Sequence, residues 1–263
     1  MDDLTLANDI LERFSHYRTC SLFRMQDEGI VFVREKPFLK HLAPGPEHLV
    51  AIVPKGSEVP DDIHCDLYEA DEPEVVFAMV HNTLASIRWK RSDMVSIHAR
   101  IHPTAVIGAS SIKIVQAKNG RRIDLIHTGH VAIEDDVHIG PQAVVHRGCL
   151  DETRIRRGAR IAALSSVGHN VEIGQRVILA VGSLVAGSTK IGNDCYIGLG
   201  ARVRNNIHVA PGTLIGMGAN VVKAIDEPGV YLGNPARRVG PWDGSWVTKL
   251  KGERSKVEGD RTI

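Results

Sequence analysis

The chain of 263 residues has few aromatic side chains, 5% of the total, and only four cysteines, Cys20, Cys65, Cys149 and Cys195. The cysteines are widely scattered and form no CxxC pair and no zinc-ligand spacing, so reduced thiols of a cytoplasmic protein are expected. No window approaches 18 uninterrupted apolar residues, which argues against a membrane-spanning helix. The first residues, MDDLTLANDILERF, lack a basic segment before an apolar run and do not read as a secretory signal. A net charge of +1 gives no general attraction to nucleic acid or an acidic membrane. Neither GxGxxG nor a Walker-type loop occurs, so any nucleotide site must work without one.

What is abundant is glycine, 25 residues, together with aliphatic side chains at a fixed step. Positions 155, 161, 167, 173, 179, 185, 191, 197, 203, 209, 215 and 221 are all Ile, Leu or Val. The fourth residue after each is usually small or β-branched, and the next is often Gly or Ala, as at Gly168, Gly174 and Ala186. Ile133, Ile139 and Val145 repeat the theme before a four-residue slip across DETR. A six-residue step fits neither a helix nor a hairpin. It fits a short strand and a tight turn, three of which close one triangular coil of a parallel β-helix. A β-sandwich would space its strands by 8–12 residues instead. Glycine at the turn either lets backbones approach or permits positive φ.

The first hundred residues have no hexad. LANDILERFSHYR places Leu6, Ile10, Leu11 and Phe14 on one helical face, GIVFV and HLVAIVP read as buried strands, and residues 72–87 read as a helix with Pro73 in its first turn. The expected organisation is a small α/β nucleotide-binding domain over 1–98, a β-helix over 99–225, and an extension with a polar tail over 226–263.

RGCLDETRI, VGHNVEIG, VAGSTKIG, LIGMGANVVKAI and DEPGVY, in this order, resemble segments of the UDP-3-O-acylglucosamine N-acyltransferases, the amide-forming family of lipid A synthesis. GIVFVREKPFLKHL and EPEVVFAMV resemble that family's uridine-binding domain. The segment SSIKIVQAKNGRRIDLIHTGH replaces the family's glycine-rich aromatic insert, and the family's long C-terminal helical extension is not found. GNPARRVG instead resembles the ending of hexapeptide acetyltransferases acting on nucleotide-linked amino sugars. The resemblance implies a left-handed coil, a homotrimer, and a relative with a changed acceptor or donor. Its substrates would be a nucleotide-linked amino sugar and acyl-CoA or acyl carrier protein, with no metal and no cofactor.

Amide formation from a thioester needs a group that takes the amine proton near neutral pH, and donors for an oxyanion. In the resembled family the histidine of the Gly-His-Asn segment is the base and the glycine of AGS is the oxyanion donor; they match His169 and Gly187. Independently of the family, their 18-residue separation is one full coil and places them one above the other. The family's acidic residue upstream of the base is replaced by Ala162 and Ala163, which leaves Asn170, Asp151 or a neighbouring chain to orient His169. Its second histidine matches Asn206. Phe32 and Phe38 match the two aromatics that flank uracil, with Glu35 where the family has an amide; both phenylalanines are equally suited to a small core. Met217, Gly218, Lys223, Arg237 and Arg238 are candidates for the donor, backbone for the pantetheine amides and cations for the phosphates. Two rivals use the same coil. One is a non-enzymatic hexapeptide scaffold. The other is a γ-carbonic-anhydrase-like metalloenzyme, which would need a close histidine pair, yet no histidine lies five residues after His138, His146 or His169.

Overall fold

The computed structural model describes residues 2–244 apart from 15–16, 23, 44, 47, 59–62, 64, 89–92 and 243. The polar tail expected after residue 248 lies outside the described residues. The N-terminal unit opens with helix α1 (Asp3–Phe14). It continues with strands β1 (Arg18–Thr19), β2 (Gly29–Phe32), β3 (Leu49–Pro54) and β4 (Asp66–Ala70) and closes with helix α2 (Pro73–Arg88). The four strands form one parallel sheet in chain order.

Alternation decides which face each side chain covers. Ile30, Val50 and Ile52 point to one face and pack under Leu6, Ala7 and Ile10 of α1 and Val76, Phe77 and Val80 of α2. Val31, Ala51 and Val53 point to the other, where the 3-10 segment Lys36–Leu42 covers them with Leu39 and Leu42. Burial on both faces explains why these strands read as continuous apolar runs.

The rest of the chain winds into the parallel β-helix expected from the hexads, left-handed as the resemblance implies. Three parallel sheets run along it, and each gains one short strand per coil. Register repeats every 18 residues: Arg154 pairs with Glu172, Glu172 with Lys190 and Lys190 with His208. All twelve hexad aliphatics point inward and are at most 3% exposed. Burial of each contributes on the order of 1.5–3 kcal/mol. Their partners four residues on, among them Ala159, Ser165, Val171 and Cys195, fill the same interior.

Two departures from the strict repeat matter. Ile133 pairs with Ile155 across 22 residues, so four extra residues bulge from that coil. The coil before it, Met94–Val95, Arg100–Ile101 and Val106–Ala109, pairs with the next across a 38-residue step. The boundary expected at residue 99 takes in two of this coil's three strands and leaves out Met94–Val95; the unbroken run of sixes does not reach the coil, because the segment after it leaves the helix axis. That segment carries a hairpin, Ile114–Gln116 with Arg122–Asp124, which packs Val115 and Ala117 against Val75 and Ala78 of α2.

Turn chemistry divides between two positions. Glycines directly after the hexad residue serve close approach: a Cβ on Gly168 would fall 2.6 Å from the Gly187 nitrogen, and one on Gly198 2.6 Å from Met217 N. Positive φ belongs two residues later, at Gly158, Leu164, Asn170, Arg176, Gly182, Ser188 and onward. Past the coils, Gly229–Leu232 adds to one sheet in parallel and Arg237–Gly240 pairs antiparallel with it.

Candidate functional site

His169 follows the Ser166–Val167 strand, on the corner where the next coil places Gly187 after Leu184–Val185. The imidazole lies directly over the glycine. A Cβ on Gly187 would stand 2.5 Å from Nε2 of His169 and 2.6 Å from Cε1. The Gly187 N–H has no acceptor among the described residues, whereas its carbonyl accepts from Asn206 N–H at 3.1 Å.

Asn170 contacts the His169 ring through its side-chain oxygen. Its Oδ1 accepts from the Cys149 N–H at 3.0 Å, and a backbone N–H can only donate, so the oxygen and not the amide nitrogen faces this way. The same oxygen lies 3.1 Å from His169 Nδ1. It therefore accepts the Nδ1 proton and leaves Nε2 with its lone pair over Gly187. Asn170 is itself held by its N–H donating to Thr153 Oγ1 at 2.8 Å, in a left-handed conformation, φ 58°, that asparagine tolerates. Of the groups considered from sequence, Asn170 makes this hydrogen bond to His169, and Asp151 lies on the cleft wall. Burial lowers the proton affinity of His169; the Asn170 bond opposes this, and Lys113 and His146 add to the lowering. The net direction favours the neutral imidazole.

Two clefts meet at this side chain. One, of about 760 Å³, lies between the N-terminal unit and the coils. Phe32, Arg34 and Phe77 form one wall, Asp151, Glu152 and Asn170 the other, with Lys113 from the inserted segment above them. Arg34–Glu74 at 2.6 Å and Arg24–Glu152 at 3.0 Å neutralise part of its charge. The second, of about 610 Å³, runs up the coil from Gly168 and Gly187 past Arg202 and Arg204 to Asn220, Val222 and Asn234. His169 lines both.

The remaining sequence candidates divide. Phe32 lines the first cleft with its ring 4.8 Å from that of Phe77, so it is half core and half wall. Phe38 does not reach that wall; it is 40% exposed on the 3-10 segment, beside His41. Glu35 stands at the N-cap position of that segment without a side-chain capping hydrogen bond and is exposed. Lys223 lies on the His169 corner three coils along, since Val167, Val185, Val203 and Val221 stack in register. At about 4.8 Å per coil this is roughly 14 Å away. With Arg237 and Arg238 it lines a smaller groove of about 300 Å³. Met217 and Gly218 turn a different corner, and Met217 is 78% exposed there.

Sequence spacing does not place three neighbours of His169, although His127 and His146 stand, with His130 and His208, among the alternative bases the sequence offers. Cys149 Sγ lies 3.3 Å from His169 Nδ1, and the His127 ring centroid lies 5.6 Å from that of His169. His146 lines the second cleft. Cys149 sits in the four-residue bulge and His127 in the inserted segment. The only signal in the sequence is that both stand where the hexad fails. Burial pushes the Cys149 thiol up to about 12 and the His127 imidazole down to about 4, with His169 and His146 adding to the latter.

The relatives agree with the motif resemblance. Over 131 residues, half of this chain, the sequence is 42% identical to a UDP-3-O-acylglucosamine N-acyltransferase of Coxiella burnetii, of which the match covers 38%. Over 79 residues it is 42% identical to an enzyme of the same name from Francisella tularensis, of which 23% is covered. The chain thus spans well under half the length of these curated relatives. Among solved structures, a UDP-N-acetylglucosamine acyltransferase superposes with a TM-score of 0.51 at 16% identity, covering 86% of this chain and 70% of that one. This is a likeness of fold. No family model matches the chain.

Proposed function

We propose that the chain is an N-acyltransferase that moves an acyl group from acyl-CoA or acyl carrier protein to the amine of a nucleotide-linked amino sugar. The observation that carries the reading is that one neutral, oriented imidazole lines two clefts at once. A two-substrate transfer needs both reactants to reach the same base. The cleft beside the N-terminal unit suits the acceptor, with Phe32 offering an aromatic face to a base and Arg34 and Lys113 offering cations to phosphates. The groove up the coil suits an extended donor, with Arg202, Arg204 and, further along, Lys223, Arg237 and Arg238 for its charged end.

The amine attacks the thioester carbonyl as His169 Nε2 takes its proton. The imidazolium keeps its Nδ1–H on Asn170 Oδ1, a dipole where the resembled family uses a carboxylate. The oxyanion accepts the Gly187 N–H, which has no competing acceptor among the described residues. Collapse breaks the C–S bond, and the thiolate leaves with the proton from Nε2. Asn206 on the cleft wall has no basic lone pair to share this work.

The active form is a homotrimer in this reading. An apolar ridge of Leu164, Val181, Leu199 and Met217 runs along one corner, each residue at least 45% exposed; a neighbouring copy would cover it. Light scattering that gave a mass near a single chain at micromolar concentration would refute the trimer.

The test of the reaction is His169→Ala assayed with UDP-linked amino sugars against acyl-CoA and acyl carrier protein donors. No stacked aliphatic is removed, so the variant folds. Its kcat falls by about 10²–10⁴-fold, the usual share of a general base, with little change in KM. Near-full turnover in this variant removes His169 from the role.

A further inference from the structure

We infer that His127, Cys149 and His169 form a site for a thiophilic divalent ion of the zinc type, and that filling it turns the base off. The second half of this inference rests on the acyl-transfer reading; the first half does not. Three donor atoms, one from each side chain, lie within 4.8 Å of one another. They come from three separate segments: the insert, the four-residue bulge and a coil corner. Cys149 Sγ and His169 Nδ1 are already 3.3 Å apart. Zinc binds nitrogen at about 2.0–2.1 Å and thiolate sulfur at about 2.3 Å, so tetrahedral ligands lie roughly 3.3–3.6 Å apart. The cluster needs about 1 Å of closure.

An independent observation points the same way. His127 is 2% exposed, and its Nε2 has no hydrogen-bond partner among the described residues. The other ring nitrogen is occupied by the Ser111 main chain. A buried imidazole nitrogen with a free lone pair is costly unless something fills it. Catalysis as described above uses neither this lone pair nor the Cys149 sulfur. A sulfur and two imidazoles select zinc-like ions over magnesium or calcium, which prefer oxygen.

The proton balance makes the effect specific. Binding releases the Cys149 thiol proton to solvent. The metal takes the Nδ1 lone pair of His169, so the imidazole proton passes from Nδ1 to Nε2 and the Asn170 bond is given up. Nε2 then carries a hydrogen where the amine needs a lone pair. Metal at Nδ1 and base at Nε2 exclude each other.

The test is titration of the chelator-stripped full chain with cobalt(II), which reports thiolate ligation by a charge-transfer band and tetrahedral geometry by intense visible absorption. The expected result is one cobalt per chain, displaced by zinc. The charge-transfer band is lost in Cys149→Ser and kept in Cys195→Ser, whose sulfur lies in the coil interior. His127→Ala weakens binding by more than the roughly 10–100-fold that outer-shell partners cost. A second variant, His127→Gln, guards against a fold defect, with circular dichroism read on each. Cobalt that shows only weak octahedral absorption, or the same affinity in wild type and Cys149→Ser, overturns the site, and Cys149 is then packing against His169 as a small apolar group. Zinc that binds through these residues without lowering acyl transfer overturns the switch and leaves the site. A chain with no acyl transfer under any metal-free condition sinks the functional reading while the cobalt titration still decides the site.

Discussion

Replacing Gly187 by alanine adds one methyl group, and the structure says what it meets. Its three nearest neighbours would all be atoms of the His169 ring, at 2.5, 2.6 and 2.9 Å. Ordinary carbon contact begins near 3.5 Å, so the ring must retreat by about 1 Å. Gly187 does not have a left-handed φ, so alanine fits its backbone. The perturbation is thus confined to the position of the base. A misplacement of this size costs about 100-fold in rate, equivalent to about 2.7 kcal/mol in the activation barrier. The methyl also crowds the space over the Gly187 N–H, so the loss extends to about 10³-fold if the oxyanion donor is screened as well.

The assay is steady-state acyl transfer with both substrates saturating, beside a thermal melt. Gly182→Ala is the matched control. Nothing lies within 4 Å of a Cβ there, but φ is +69°, so alanine is strained by about 1–2 kcal/mol with no effect on the site. Gly187→Ala should keep its melting temperature and lose kcat; Gly182→Ala should lower its melting temperature and keep kcat. If Gly187→Ala turns over within about threefold of wild type while His169→Ala is inactive, His169 acts in a position other than the one described, and the oxyanion assignment to Gly187 fails with it.

Asn170→Ala leaves Nδ1 without its acceptor and puts alanine at φ 58°; kcat should fall by about 10–100-fold, the cost of losing an orienting outer partner, and Asn170→Gly, which relieves only the strain, should not restore it. Phe32→Ala should raise KM for the nucleotide sugar by the roughly 1–3 kcal/mol of a lost stacking face and spare the donor KM; equal losses toward both substrates, or an unfolded variant, would make Phe32 a core residue only. His81 accepts a hydrogen bond from Thr19 Oγ1 at Nδ1 and donates from Nε2 to the Ile126 carbonyl, with burial lowering its proton affinity. Its folded pKa lies below its unfolded one, so the stability it lends is full above the unfolded value of about 6.5 and is lost as pH falls through the folded one; melting temperature should drop on acidification from pH 7.5 to 5, and a His81→Gln variant that drops equally would refute the assignment.

The coils were legible because a single aliphatic per strand is all the interior requires. Nothing else competes at positions such as Ile173, Ile191 and Val209, so the pattern survives without interruption. The turn glycines were read only in part. A six-residue period marks both the close-approach position and the left-handed one, and at the latter the chain uses Leu164, Arg176 and Asp194 as freely as glycine. Strand β4 carries no apolar run to mark it, because it lies at the sheet edge and its sequence DLYEA is largely exposed. Phe38 was placed beside Phe32 by motif. The 3-10 segment instead turns Leu39 and Leu42 inward and Phe38 outward, because only those two face the sheet.

The surroundings of His169 could not be read for a reason that says where function resides in this fold. A strict 18-residue coil offers each corner only the corners above and below it. Reaching a third group requires chain that leaves the register. Both departures do so beside the same histidine. The four-residue bulge carries Cys149, whose N–H fixes Asn170, and Asp151 on the cleft wall. The inserted segment carries His127 and Lys113 and is tied to α2 by His81 and by Asn82, whose amide donates to the Asp124 carbonyl at 2.8 Å. The insert therefore joins the N-terminal unit to the surroundings of His169 as well as supplying side chains to them. Shortening residues 110–129 to restore an 18-residue step should leave the coils stacked, since no hexad aliphatic is removed. It should abolish the first cleft and with it acceptor binding. A shortened chain that still binds the nucleotide sugar with unchanged affinity would place the acceptor elsewhere, and the joint role of insert and α2 would be wrong.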